Sequence, residues 1–117
     1  MKVKEIKEIL GLELAGGEKG IENEIKDGYC GDLLSDVMAN APEGCIWITI
    51  QTHQNIVAVA ILREMAGIII TGDHSPDEDT KKKADEEGVP ILLSSMTSFE
   101  ISGRIFELGI GKKRDRE

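Results

Sequence analysis

The sequence predicts an α/β fold. It is a single domain with a mainly parallel sheet, a βαβαβα second half and helices on both faces, plus an N-terminal helix and a short hairpin. Three observations carry this reading. Three short apolar runs, CIWITI at 45–50, GIII at 67–70 and VPILL at 89–93, recur through the second half. None alternates cleanly with polar residues, which is how strands buried on both faces read. Helix-like segments at about 53–66, 76–87 and 97–108 separate and follow them, so the order calls for right-handed parallel crossovers.

Each element has a local cause. Val3, Ile6 and Leu10 share one helical face, and Gly11 follows as a left-handed C-cap. Leu12–Ala15 and Ile21–Ile25 alternate around Gly16, Gly17 and Gly20, which reads as a hairpin or two short strands joined by a turn. GYCG at 28–31 reads as a strand end or tight turn. Leu33, Leu34, Val37 and Met38 mark a short helix that stops before Pro42, and Pro-Glu-Gly at 42–44 is a turn. Asp32 is expected to cap that helix.

The later helices differ in character. IVAVAIL at 56–62 is apolar all round, so it must be buried in the fold or in a subunit interface; Ile56, Val59 and Ile61 are its candidate contacts. The segment 76–87 is highly charged and reads as a solvated outer helix, with Ser75 as N-cap and Pro76 as first residue. Thr97 and Glu100 form a capping box for the last helix. The domain spans 1–110, and 111–117 (GKKRDRE) is a charged tail expected to fray.

Composition narrows the function classes. The chain has 117 residues, enough for one core, and a net charge of −8. So acidic a protein is poorly suited to phosphate backbones, and four aromatic residues cannot build a base-stacking platform, so no nucleic-acid partner is expected. The longest apolar run is too short to cross a membrane, and no export signal stands at the N-terminus. Cys30 and Cys45 form no CxxC or zinc spacing, which fits reduced thiols and a cytoplasmic location. No Walker A motif or nucleophile elbow is present, and no cofactor is expected.

In open α/β sheets, ligands bind beyond the carboxyl ends of the strands. Three loops leave such ends: 51–55, 71–75 and 94–97. Thr52, His53, Asn55, Thr71, Gly72, Asp73, Ser95 and Thr97 are the candidate ligand-binding residues there. Each loop leads into a helix N-terminus, where free N–H groups favour an anion. The same loops serve equally as caps and turns. His53, Asp73 and His74 could form a metal site of two imidazoles and a carboxylate, the weakest of the candidates.

The stretch from Trp47 to Ser94 resembles the DRTGG domain family, named for an Asp-Arg pair after one strand and Thr-Gly-Gly after the next. Thr71-Gly72-Asp73 matches the second motif at two positions of three. The first pair falls on Thr52 and His53, and neither matches. The segment DLLSDVMANAPEG at 32–44 also looks like the family, and the likeness runs over roughly 1–109. This resemblance implies a fold similar to the N-terminal domain of HPr kinase/phosphorylase. It implies a regulatory role, because DRTGG domains sit between paired CBS modules in regulated pyrophosphatases and in the N-terminal region of some phosphate acetyltransferases.

The expectation is therefore a non-catalytic, ligand-sensing domain that binds a small anionic, nucleotide-like ligand and forms homo-oligomers, a homodimer foremost. The alternatives are a protein-interaction subunit that contacts its partner through the 56–62 helix, and a small metal-dependent hydrolase using His53, Asp73 and His74.

Overall fold

The computed structural model describes residues 1–112, so the charged tail read from the sequence lies, from residue 113 on, outside the described residues. Five strands form one sheet in the order β1-β5-β4-β3-β2. They are β1 (Glu13–Gly16), β2 (Asp27–Cys30), β3 (Cys45–Thr49), β4 (Gly67–Ile70) and β5 (Ile91–Leu93). β2, β3, β4 and β5 pair in parallel, and β1 alone runs antiparallel, against β5. The helices are α1 (Val3–Leu10), α2 (Leu34–Asn40), α3 (Asn55–Leu62), α4 (Glu78–Glu87) and α5 (Ser98–Glu107).

The unbroken apolar runs resolve into two alternating sets, because successive side chains leave opposite sheet faces. Cys45, Trp47, Ile68, Ile70 and Ile91 pack with α2, α3 and α4. Ile46, Ile48, Ile69 and Leu92 pack with α1 and α5. Helices therefore cover both faces, as the sequence predicts. Trp47 is fully buried, and its indole N–H donates to the Gly31 carbonyl at 2.9 Å.

The N-terminal hairpin does not form. Its first half becomes β1 and pairs with β5; its second half is not a strand, apart from one bridge between Lys2 and Glu24. β2 instead begins at Asp27, through the GYC that reads as a strand end or turn, and lies at the sheet edge. The glycines explain the difference. A Cβ on Gly17 would lie 1.9 Å from the Val89 carbonyl oxygen, and one on Gly20 would lie 2.1 Å from the Gly88 oxygen. These glycines serve close backbone approach to the chain before β5, not a hairpin turn.

Three smaller differences follow from local bonding. α3 ends at Leu62, short of 66; Glu64 then adopts φ 52°, and Arg63 donates twice to the Ala41 carbonyl. α4 starts at Glu78 with Asp77 at the N-cap, so Ser75 and Pro76 lie outside it. The N-cap of α2 is Leu33, and the Asp32 carboxylate is used elsewhere. The apolar α3 is mostly spent on the fold: Ile56 and Val59 are buried in the core, which removes both as subunit contacts and leaves Ile61, with Leu62, at the surface. The Thr97–Glu100 capping box of α5 is present as expected.

Candidate functional site

Four parallel strands end on one edge of the sheet, so four loops emerge together rather than three. The loop after β2, with Gly31, Asp32 and Leu33, joins those after β3, β4 and β5. Antiparallel pairing also brings the start of β1 to this edge, with Glu13 beside Leu93. Between the β1 and β4–β5 loops lies an open concavity of about 460 Å³. Gly11, Glu13, Asp73, His74, Ser94 and Ser95 are among its lining residues, and among the described residues no lysine or arginine lines it.

The loops are tied to one another. The Gly72 amide donates to the Met96 carbonyl at 2.8 Å, and the Asp73 amide to Ser94 at 3.1 Å. Gly72 and Asp73 both have positive φ, 74° and 65°, which folds this loop back across the end of β5. On the other side, the Thr80 hydroxyl donates to the Thr52 carbonyl at 2.7 Å, and the Asp77 amide reaches the same oxygen at 3.2 Å. Asp32 closes the fourth loop: its carboxylate accepts the Thr49 hydroxyl at 2.8 Å and the Ile50 amide at 2.9 Å, and its carbonyl accepts Gln51 Nε2 at 2.7 Å.

The sequence-derived candidates separate into two groups. Asp73 and Ser95 line the concavity, and Gly72 lies against the ring of His74. Thr71 is fully buried, with its hydroxyl 2.6 Å from Ser98 Oγ, so it positions the loops rather than offering a donor at the surface. Thr97 Oγ1 accepts the Glu100 amide at 3.2 Å and is engaged as a cap. Thr52 and His53 in the β3 loop, and Asn55 at the start of α3, do not line the concavity. His53 Nδ1 accepts the Asn55 amide at 3.1 Å. Among the described residues no three His, Cys, Asp or Glu side chains converge as a metal site, so His53, Asp73 and His74 form no such centre.

Helix N-termini at this edge are unequal as anion sites. The amides of Asn55, Ile56 and Val57 at the start of α3 already have acceptors on His53 and Gln54. At α4 the first turn carries Glu78 and Asp79, which repel an anion; α5 carries a single carboxylate there, Glu100. At α5 the Thr97 and Glu100 amides are taken by the capping box, whereas those of Ser98 and Phe99 have no acceptor among the described residues. Sequence reasoning missed Glu13 and the role of Asp32 as a tie between loops; it offered the start of α5 as an anion site without separating the two open amides from the two the capping box takes. Asp32 sits before a helix and reads as its cap, and Glu13 reaches the edge only through the antiparallel pairing of β1.

An open α/β sheet with an ordered loop edge is the class of domain defined so far. The model of the DRTGG domain family matches residues 5–108, and the chain belongs to that family. Among solved structures, it is similar to the CBS and DRTGG domains of the regulatory region of Clostridium perfringens pyrophosphatase, complexed with the activator diadenosine tetraphosphate. The match has a TM-score of 0.72 at 19% identity and covers 97% of this chain and 51% of that one. This chain thus spans about half of that regulatory region. No match is found among the curated proteins.

Proposed function

We propose that this chain is a non-catalytic regulatory domain that senses a small anionic, nucleotide-like ligand at its loop edge and self-associates. The observation that carries the reading is the edge itself, where hydrogen bonds between loops hold a concavity of about 460 Å³ open in a domain of a regulatory family. The similar clostridial region was captured with a dinucleotide activator, which supports a nucleotide as ligand class.

The chemistry divides the ligand in two. Glu13 and Asp73 in the concavity accept hydrogen bonds, as the hydroxyl and amine hydrogens of a nucleoside require. They repel phosphate, so the phosphate end belongs at the unengaged Ser98 and Phe99 amides of α5. Among the described residues no arginine lines the concavity to grip it bidentately, so binding is expected to be modest and salt-sensitive.

The test is a thermal-shift screen of untagged protein with mononucleotides, dinucleoside polyphosphates, sugar phosphates and inorganic phosphate. A ligand at 100 times its Kd stabilises the domain by ~2.7 kcal/mol. A hit that His74→Ala or Ser95→Ala weakens supports the reading. A panel without any shift overturns the nucleotide assignment. A hit that survives both substitutions removes the site from this concavity.

A further inference from the structure

Between α5 and the edge strand β2 lies a second cavity, of about 250 Å³, which shares no lining residue with the concavity at the loop edge. Ile48, Ile105, Phe106 and Ile110 give it an apolar wall. Two small residues leave the space open. Gly28 faces it from β2: a Cβ there would point at Ile46 and Ile110, both in the core on the α5 side of the sheet. Ser102 lines it from the helix.

The fold alone asks for neither residue. The Cβ on Gly28 would stand 3.7 Å from Ile110 and 4.0 Å from Ile46, ordinary contact distances, and Gly28 has no left-handed backbone that would exclude a side chain. Glycine inside a strand weakens it and often marks the close approach of another group. The Ser102 hydroxyl oxygen is buried and has no hydrogen-bond partner among the described residues. A serine inside a helix can bond back to the carbonyl one turn earlier, and this one does not. Leaving a buried hydroxyl unpartnered destabilises a fold. An open space, the glycine that makes it and an unpartnered hydroxyl thus meet at one place, each a cost to stability and each answered by a bound molecule.

We propose that this cavity binds an uncharged small molecule of about one ring, whose polar substituent hydrogen-bonds to Ser102 Oγ. Size sets the first limit: an apolar cavity of ~150 Å³ holds benzene, so this one admits a ring with a short substituent. Charge sets the second. Among the described residues Asp27 is the one charged residue in the lining; it is buried, and its carboxylate accepts the Gly28 amide at 2.8 Å. A carboxylate there repels an anion, and the apolar wall penalises a cation. Lys112, whose ammonium lies 5.4 Å from the Phe106 ring centroid, does not line the cavity. This ligand class differs from the nucleotide-like anion assigned to the loop edge, so the two sites stand or fall separately. Cys30 also lines the cavity and is exposed, which makes its thiol a native reporter of occupancy.

The experiment titrates the full chain with phenol, toluene, benzylamine and benzoate to ~10 mM, a range that reaches millimolar dissociation constants. Binding is read from the amide resonances in NMR spectra and from the rate of Cys30 alkylation. Phenol is expected to shift Gly28, Cys30 and Ser102, to slow the alkylation and to bind more tightly than the other three. Ser102→Ala should weaken phenol by about fivefold, the worth of one hydrogen bond between neutral groups, and leave toluene unchanged. Ser102→Leu should fill the cavity and abolish both, with circular dichroism showing the variant folded. No binding of phenol overturns the inference. Phenol binding that survives Ser102→Leu removes the site from this cavity, and binding that Ser102→Ala leaves unchanged removes the role of the hydroxyl. Tighter binding of benzylamine or benzoate overturns the uncharged ligand class. The nucleotide reading is tested apart from all of these, by His74→Ala and Ser95→Ala.

Discussion

Gly11 and Gly17 allow the packing of the N-terminal segment to be measured by subtraction. Both have left-handed backbones, with φ 65° and 75°. Only Gly17 faces a wall: its Cβ would meet the Val89 carbonyl at 1.9 Å and 2.3 Å and Pro90 N at 2.7 Å, whereas nothing lies within 4 Å at Gly11. Gly11→Ala therefore carries the conformational cost alone, ~1–2 kcal/mol. Gly17→Ala carries the same cost plus a forced shift of backbone against backbone, which overpacking data put at another ~1–3 kcal/mol. Unfolding entropy of ~2.1 cal/mol/K per residue makes each kcal/mol worth about 4 °C in a chain of 117 residues. The expected losses in Tm are ~4–8 °C for Gly11→Ala and roughly 8–20 °C for Gly17→Ala. Differential scanning calorimetry of the two variants and the parent measures them side by side. Equal losses would refute the claim that close approach to Val89, rather than a turn, is what requires glycine at 17.

Three further outcomes can be checked with small amounts of protein. Cys30 is exposed, while Cys45 is buried and its thiol is pushed up to about 12, chiefly by burial. One thiol should therefore react rapidly with a disulfide reagent at pH 8 and the second only in denaturant; two fast thiols in native buffer would contradict the buried β3. Glu22 is held below its ordinary 4.5 by the Lys2 hydrogen bond, and Glu24 by that of the N-terminal ammonium. A lowered folded value means stability present above ~4.5 and lost as pH falls through the folded value. Urea unfolding between pH 7 and pH 3 should show a shallower acid loss in the Glu22→Gln/Glu24→Gln variant, and both pairs are exposed enough for 1 M salt to erase the difference. An acid limb unchanged by the substitutions would remove these pairs as its cause. Thr71→Val and Ser98→Ala should each cost ~1 kcal/mol, with a double-mutant cycle showing that they share one hydrogen bond of 2.6 Å; strict additivity would show that the two hydroxyls are not partnered.

The second half of the fold was legible because it is locally determined. The runs at 45–50, 67–70 and 89–93 are apolar on both faces for the reason the structure shows, a helix layer on each side of β3, β4 and β5. Thr97 and Glu100 signalled the start of α5 through a bond between near neighbours. Within the first 31 residues only α1 and its left-handed Gly11 C-cap were legible in this way. Whether Leu12–Ala15 pairs with its sequence neighbour or with β5 depends on contacts to Val89 and Pro90, more than 70 residues away. The same limit explains the site. Residue types in the loops marked the edge, but the hydrogen bonds decide which groups remain available, and they engage Thr71, Thr97 and the start of α3. Ile56 and Val59 could not be told from interface residues, because an apolar helix reads the same whether its own sheet or a second chain covers it.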